Sequence, residues 1–131
     1  MVIQGYQGGE SVSNQADTAE IAGFLEEAKK LISAGRYDFV PRRKSMQALA
    51  EYGLTITDAK EEIFDLVVGD YYKGPKQDFD RAGVIWEFKK NLDDIPFYVK
   101  LKISQENGKN ILKCLGFHED EFAYEKTVVN G

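Results

Sequence analysis

Between Pro96 and His118 the chain spells out a β-hairpin, and that hairpin restricts the fold more than any other stretch. Phe97, Val99, Leu101 and Ile103 alternate with Tyr98, Lys100 and Lys102. Successive strand side chains point to opposite faces, so this strand has one apolar face and one wet face. Asn107-Gly108 follows, a dipeptide suited to a two-residue hairpin turn because both positions tolerate positive φ. Asn110–His118 then reads as the returning strand, and Val84–Lys89 as an earlier one linked to the hairpin through Asn91–Asp94.

What covers the apolar face comes from the first half of the chain. Asp17 and Glu20 have the spacing of a capping box. Ile21, Phe24, Leu25, Ala28, Leu31 and Ile32 then recur at helical intervals until Gly35 stops the run. Arg36–Lys44 reads as a connector holding Pro41 and the basic triplet Arg42-Arg43-Lys44. Ser45 is expected to cap a second, short helix with Met46, Leu49 and Ala50 on its apolar side, ending near Gly53. Thr57 or Asp58 is expected to open a third, with Ile63, Leu66 and Val67 along one side. A turn-rich loop from Gly69 to Gly83, broken at Gly74-Pro75, leads into the strands. Helices followed by an antiparallel meander give an α+β domain, with helices packed on one face of the sheet and the other face open.

At 131 residues the chain has room for one core. The expected division is a disordered tail over 1–16, rich in Gly, Gln and Ser, a single domain over 17–122 and a C-terminal tail over 123–131. The acidic residues after His118 (Glu119, Asp120, Glu121, Glu125) either cross a sheet edge or hang free. No basic segment precedes an apolar run at the N-terminus, and no apolar stretch approaches the roughly 18 residues of a membrane span, so the reading is no membrane and a cytoplasmic location. One cysteine, Cys114, suits a reducing compartment and is too few for a cysteine-based zinc cluster. No metal and no cofactor is expected. The net charge of −5 speaks against simple nucleic-acid binding, but it hides an asymmetry. Tyr71–His118 carries nine Lys/Arg against six Asp/Glu, and the remainder eight against sixteen. Local sign is what attracts phosphate.

The polar residues of the strands suggest what the open face does. Cleaving RNA without a metal needs a base for the ribose 2′-OH, a cation beside the crowded phosphorane and an acid for the leaving 5′-oxygen. Glu87 fits the base, since alternation sets it opposite Trp86 and Phe88. His118, the one histidine, fits the acid because imidazole titrates near neutrality. Lys100 and Lys102 share one face of a strand and suit a phosphate clamp, and Lys73 in the loop before the sheet can reach the same anion. Tyr72 and Tyr98 suit base stacking, and Arg42 and Arg43 an RNA-tracking patch. Each also has a plain reading. An isolated strand glutamate or histidine is most often a surface group, alternating lysines protect sheet edges, and strand aromatics usually pack. Convergence on one face is what favours the chemical reading.

The blocks KKLISAG (29–35), ALAEYGLT (48–55), DYYKGPK (70–76), VIWEF (84–88), YVKLKI (98–103) and LGFH (115–118) resemble, in order and spacing, the MqsR-type toxins of type II toxin–antitoxin systems. The resemblance spans roughly residues 20–122. It implies a RelE/YoeB-like α+β fold and an mRNA interferase, an endoribonuclease cutting free mRNA at GCU-like sites. It also implies a cognate antitoxin partner with a zinc-binding N-terminal domain and a helix-turn-helix C-terminal domain, so that any zinc belongs to that partner. By position, the motif lysine is Lys73. Glu87 stands where a familiar form has glutamine, Lys100 where tyrosine can occur (with Lys102 its lysine neighbour), and His118 where lysine is familiar. A glutamate base with a C-terminal histidine acid is a recognised solution in the wider RelE/YoeB group. Two other readings compete with it: a non-catalytic toxin-like protein that binds an antitoxin, RNA or another partner, and a structural protein whose lysines are surface.

Overall fold

The computed structural model describes residues 15–121. The C-terminal tail expected at 123–131, Glu125 with it, and residues 1–14 of the N-terminal tail lie outside that range. Of the N-terminal tail, Gln15 forms a bridge to Gly74 and the Ala16 amide donates to the Tyr71 hydroxyl at 3.0 Å.

The described chain is α+β. Helix α1 (Thr18–Ser33) leads to a three-residue strand β1 (Tyr37–Phe39), then helices α2 (Arg43–Tyr52) and α3 (Ile56–Phe64) and a single 3₁₀ turn at Val68–Asp70. Strands β2 (Tyr71–Gln77), β3 (Val84–Leu92), β4 (Ile95–Glu106) and β5 (Lys109–Glu119) complete it. The sheet order is β1-β5-β4-β3-β2. β3 through β5 form the expected antiparallel meander, β2 adds a fourth antiparallel strand at its edge, and β1 runs parallel to β5, so the whole sheet is mixed.

Helix α1 follows its sequence. Asp17 accepts from the Glu20 amide at 2.8 Å while Glu20 accepts from the Asp17 amide, which satisfies donors that the first turn leaves orphaned. Ile21, Phe24, Leu25 and Ala28 are its buried face. Phe24 stacks on Trp86 at 4.6 Å between ring centroids and lies 6.0 Å from Phe88. Phe88, Phe97, Val99, Leu101, Leu112 and Phe117 form the sheet's side of the core. Burying each of the large side chains contributes roughly 1.5–3 kcal/mol.

Both tight turns of the meander use left-handed backbone. Asp93 and Asp94 (φ 50° and 68°) join β3 to β4, and Asn107 and Gly108 (φ 55° and 76°) join β4 to β5. Two consecutive positive φ values match the right-handed twist of the flanking strands.

Several sequence expectations need correction. The connector Arg36–Lys44 contains β1, and the loop expected over Gly69–Gly83 contains β2, which puts Lys73 on a strand. β2 escaped notice because Gly74-Pro75 interrupts it, yet an edge strand tolerates proline, its missing N–H facing away from the neighbour. Ser45 does not cap α2: the helix begins at Arg43, and Ser45 is buried, its hydroxyl accepting from the Phe117 amide at 2.9 Å. That amide lies just after the bulge of β5, where pairing with β4 slips from Leu101↔Cys114 to Lys100↔Gly116. Leu49 is buried as expected, but Met46 and Ala50 are exposed, and Ser45 and Ala48 face inward in their place. Helix α3 is capped by Thr55, whose hydroxyl accepts from the Asp58 amide at 2.9 Å, rather than by Thr57 or Asp58. Ile63 and Leu66 are buried, while Val67, beyond the end of α3, is 57% exposed. Cys114 is sealed in the core, where burial pushes its thiol up to about 12, so it serves packing and not nucleophilic chemistry. Among the described residues no helix is long and apolar enough to cross a membrane.

Candidate active site on the open face of the sheet

Strand alternation turns Glu87 and Lys89 away from the helices, with Tyr98 and Lys100 beside them on β4 and His118 and Gly116 on β5. Register assembles these into two neighbouring rows. One runs Lys73–Glu87–Lys100–Gly116 across four strands, and the next runs Lys89–Tyr98–His118 across three. β2 slips register between Lys73 and Lys76, so both lysines reach the Glu87 neighbourhood.

The rows floor a pocket of about 320 Å³ whose walls include Tyr72, Lys73, Lys76, Glu87, Tyr98 and His118. Lys89 lines it too, as do Asp120 and Glu121, the residues that follow β5. Glu87 is only 4% exposed, and its carboxylate is ion-paired with Lys76. The Tyr98 phenol lies beside the same carboxylate. Burial first, then that negative charge, holds the phenol well above its usual range. Tyr98 is thus a neutral phenol beside the Glu87 charge.

His118 packs against Tyr98 at 5.2 Å between ring centroids. Its Nδ1 lies 2.9 Å from the Glu119 carbonyl oxygen. A carbonyl oxygen only accepts, so Nδ1 carries the proton and Nε2 is left for chemistry. A Cβ on Gly116 would lie 3.4 Å from the Lys100 Cβ, 3.8 Å from Tyr98 Cε2 and 3.9 Å from His118 Nε2. Lys100, Tyr98 and His118 therefore converge over a glycine.

The cations are restrained. Lys89 pairs with Asp120 at 2.9 Å and lies over the Tyr72 ring, 3.8 Å from its centroid. Lys73 lies 5.1 Å from the same centroid, on the exposed side of β2. Lys44 of α2 holds Glu121 at 2.9 Å, which draws that carboxyl below its usual range.

Glu87, His118, Lys73, Tyr72 and Tyr98 of the sequence expectation thus share one pocket. Lys100 borders it through Glu87 and Gly116 but opens into the adjoining groove. Lys102 does not join them. It is 3% exposed, spent on Asp78 at 2.6 Å, and lines a separate recess with Arg42. Arg43 stands exposed in the first turn of α2 and lines neither. Lys76, Lys89 and Gly116 are not among the candidate site residues of the sequence, although Lys76 lies within the DYYKGPK block; Asp120 and Glu121 belong to the acidic segment expected either to cross an edge or to hang free. Among the described residues, no group of three His, Cys, Asp or Glu side chains could hold a metal ion. No family model, no curated protein and no solved structure matches this chain.

Proposed function

We propose that this chain is the toxin of a type II toxin–antitoxin pair of the MqsR kind, with a RelE/YoeB-like fold, acting in the cytoplasm as a metal-independent endoribonuclease on mRNA at GCU-like sites. Its partner in this reading is an antitoxin with a zinc-binding domain and a helix-turn-helix domain. The observation that carries the reading is the pocket in which Glu87, Tyr98 and His118 Nε2 adjoin three lysines under an aromatic wall.

Glu87 is ion-paired with Lys76 and lies beside the Tyr98 phenol. Lys76 is the more exposed half of that pair, its side chain 38% exposed against 5% for Glu87. An incoming phosphate competes for the Lys76 ammonium and uncovers the carboxylate, which removes the 2′-OH proton as that oxygen attacks phosphorus. Lys73 and Lys76 stabilise the phosphorane charge. His118, protonated at Nε2, donates to the leaving 5′-oxygen, and its Nδ1–H bond to the Glu119 carbonyl keeps the ring in position. The products are a 2′,3′-cyclic phosphate end and a free 5′-hydroxyl.

The test is a matched pair of substrates, one all-ribose and one with 2′-deoxyribose at the mapped cut. The all-ribose strand is expected to be cut with a 2′,3′-cyclic phosphate end, and the deoxy strand to survive. Cleavage of the deoxy strand, or a 5′-phosphate product, overturns the reading.

A further inference from the structure

The open face does not end at the pocket. The pocket shares Lys76 with an adjoining groove beside Lys100, and that groove shares Asp78 and Asp80 with a third recess of about 480 Å³ beneath Arg42 and Arg81. From Tyr98 to Lys102 along β4 the face advances roughly 13 Å. A ligand filling the far recess therefore reaches well past the groups around Glu87.

The far recess is built on an anchored loop. Lys102, buried in the sheet, pairs with Asp78 at 2.6 Å. Asp78 Oδ1 accepts from the Asp80 amide at 3.0 Å, and the Asp78 amide donates to the Gly83 carbonyl at 3.2 Å. Gly83 has φ 106°, and a Cβ there would come within 3.0 Å of Lys102 Cε. The loop from Asp78 to Gly83 is thus fastened at its base, while Phe79 at its tip is 97% exposed over the groove. The Lys102–Asp78 pair is electrically closed, and Lys113 is engaged with Glu106 at 2.6 Å. Neither Arg42 nor Arg81 has an ion pair with a carboxylate among the described residues. Four cations, counting Lys102 and Lys113, face Asp78 and Asp80 there, whereas the three lysines of the pocket face three carboxylates.

We infer that this face is a single-stranded RNA track: Arg42 and Arg81 clamp a backbone phosphate outside the cut linkage, and Phe79 stacks on a base between that phosphate and the pocket. The inference rests on the ribonuclease reading and adds to it a second phosphate subsite and a stacking residue. Planar guanidinium forks fit phosphate oxygens bidentately. A solvent-exposed ring beside a basic groove is the element that sequence-tolerant recognition of single strands employs, since every base offers a π-face. Asp80, which borders both recesses, keeps the phosphate on the arginine side by like-charge repulsion.

The experiment measures binding of a fluorescein-labelled, mixed-sequence single-stranded RNA by anisotropy over a salt series, together with steady-state cleavage of an mRNA transcript. The proteins are the parent, Phe79→Ala and Arg42→Gln/Arg81→Gln, with thermal melts as a folding control. The double variant is expected to bind about tenfold more weakly, with a log–log salt slope shallower by about 0.7 for the phosphate lost. Phe79→Ala is expected to weaken binding about tenfold with the slope unchanged. In cleavage both raise KM and leave kcat within about twofold, because neither touches the reacting atoms. A parent that cuts RNA while both variants match it in affinity and KM overturns the track and leaves the nuclease reading standing. A parent that binds RNA with these variant effects but cuts nothing supports the track and overturns the nuclease reading. A parent that does not bind the RNA overturns the track.

Discussion

Glu87 combines two properties that rarely coincide: strand alternation turns it away from the core, yet it is almost fully buried. What covers it is Lys76 and Tyr98, so its burial comes from polar partners and belongs to a preorganised site. Of the three pocket lysines, Lys73 alone has no carboxylate ion pair among the described residues, and it lies over Tyr72. Lys73→Ala is expected to lower kcat by about ten- to a thousand-fold with little change in melting temperature, because it removes charge from the developing phosphorane and nothing from the core. Single-turnover cleavage alongside a thermal melt checks this, and a rate within about twofold of the parent would assign Lys73 to the surface. Glu87, His118 and Tyr98 were legible because period-2 alternation puts side chains on faces. Lys76 was not, since it follows a register slip that alternation cannot count. Lys102 was misread for a related reason. Alternation gives the correct face, but nothing local announces that Asp78 folds back to neutralise it.

Among the elements, β2 decides whether there is a site, because it brings Lys73 and Lys76 to the sheet edge beside Glu87. Its tolerance is set by Gly74, where φ is 118° and an added Cβ would meet the Ile85 carbonyl oxygen at 2.6 Å and Trp86 Cα at 3.0 Å. Both obstacles are backbone, so Gly74→Ala is expected to pry β2 from β3, costing about 1–3 kcal/mol in denaturant unfolding and more activity than stability. Retained stability and activity would show that the edge accommodates a side chain. The loop after β2 has its own signature. The Lys102 hydrogen bond, followed by the Asp80 amide, holds the Asp78 carboxyl down to about 2. That value lies below the ordinary carboxylate pKa of about 3.9, so the stabilisation is complete above roughly pH 4 and is lost as pH falls towards 2. The stability gap between the parent and Asp78→Asn is therefore expected to be open at neutral pH and to close over that interval, as read by urea unfolding. A gap that does not change with pH would mean the ion pair is not what fastens the loop. The three long strands and α1 were readable because repetition reinforces their patterns. β1 is too short for a pattern, and Gly74-Pro75 splits that of β2.

At the scale of the molecule, three helices on one face of a five-stranded sheet leave the other face bare. That face gathers cations in a chain whose net charge is −5. The segment after β5 returns acid to it: Asp120 holds Lys89, and Glu121 stands at the rim against Lys44. The layer order follows from the sequence of helices and then strands, but this closing contact comes from an acidic segment whose sequence fits an edge crossing and a free tail equally well. The central claim is that the face cleaves RNA with its own side chains. It is tested by incubating the purified protein with a defined, ribosome-free mRNA in EDTA beside a Glu87→Gln/His118→Gln variant, and mapping the ends. The account predicts discrete cuts by the parent and a loss of at least about a hundredfold in the variant at unchanged thermal stability. Equal cutting by both proteins, or cutting that EDTA abolishes and a divalent ion restores, would contradict it, as would RNA left intact by the parent.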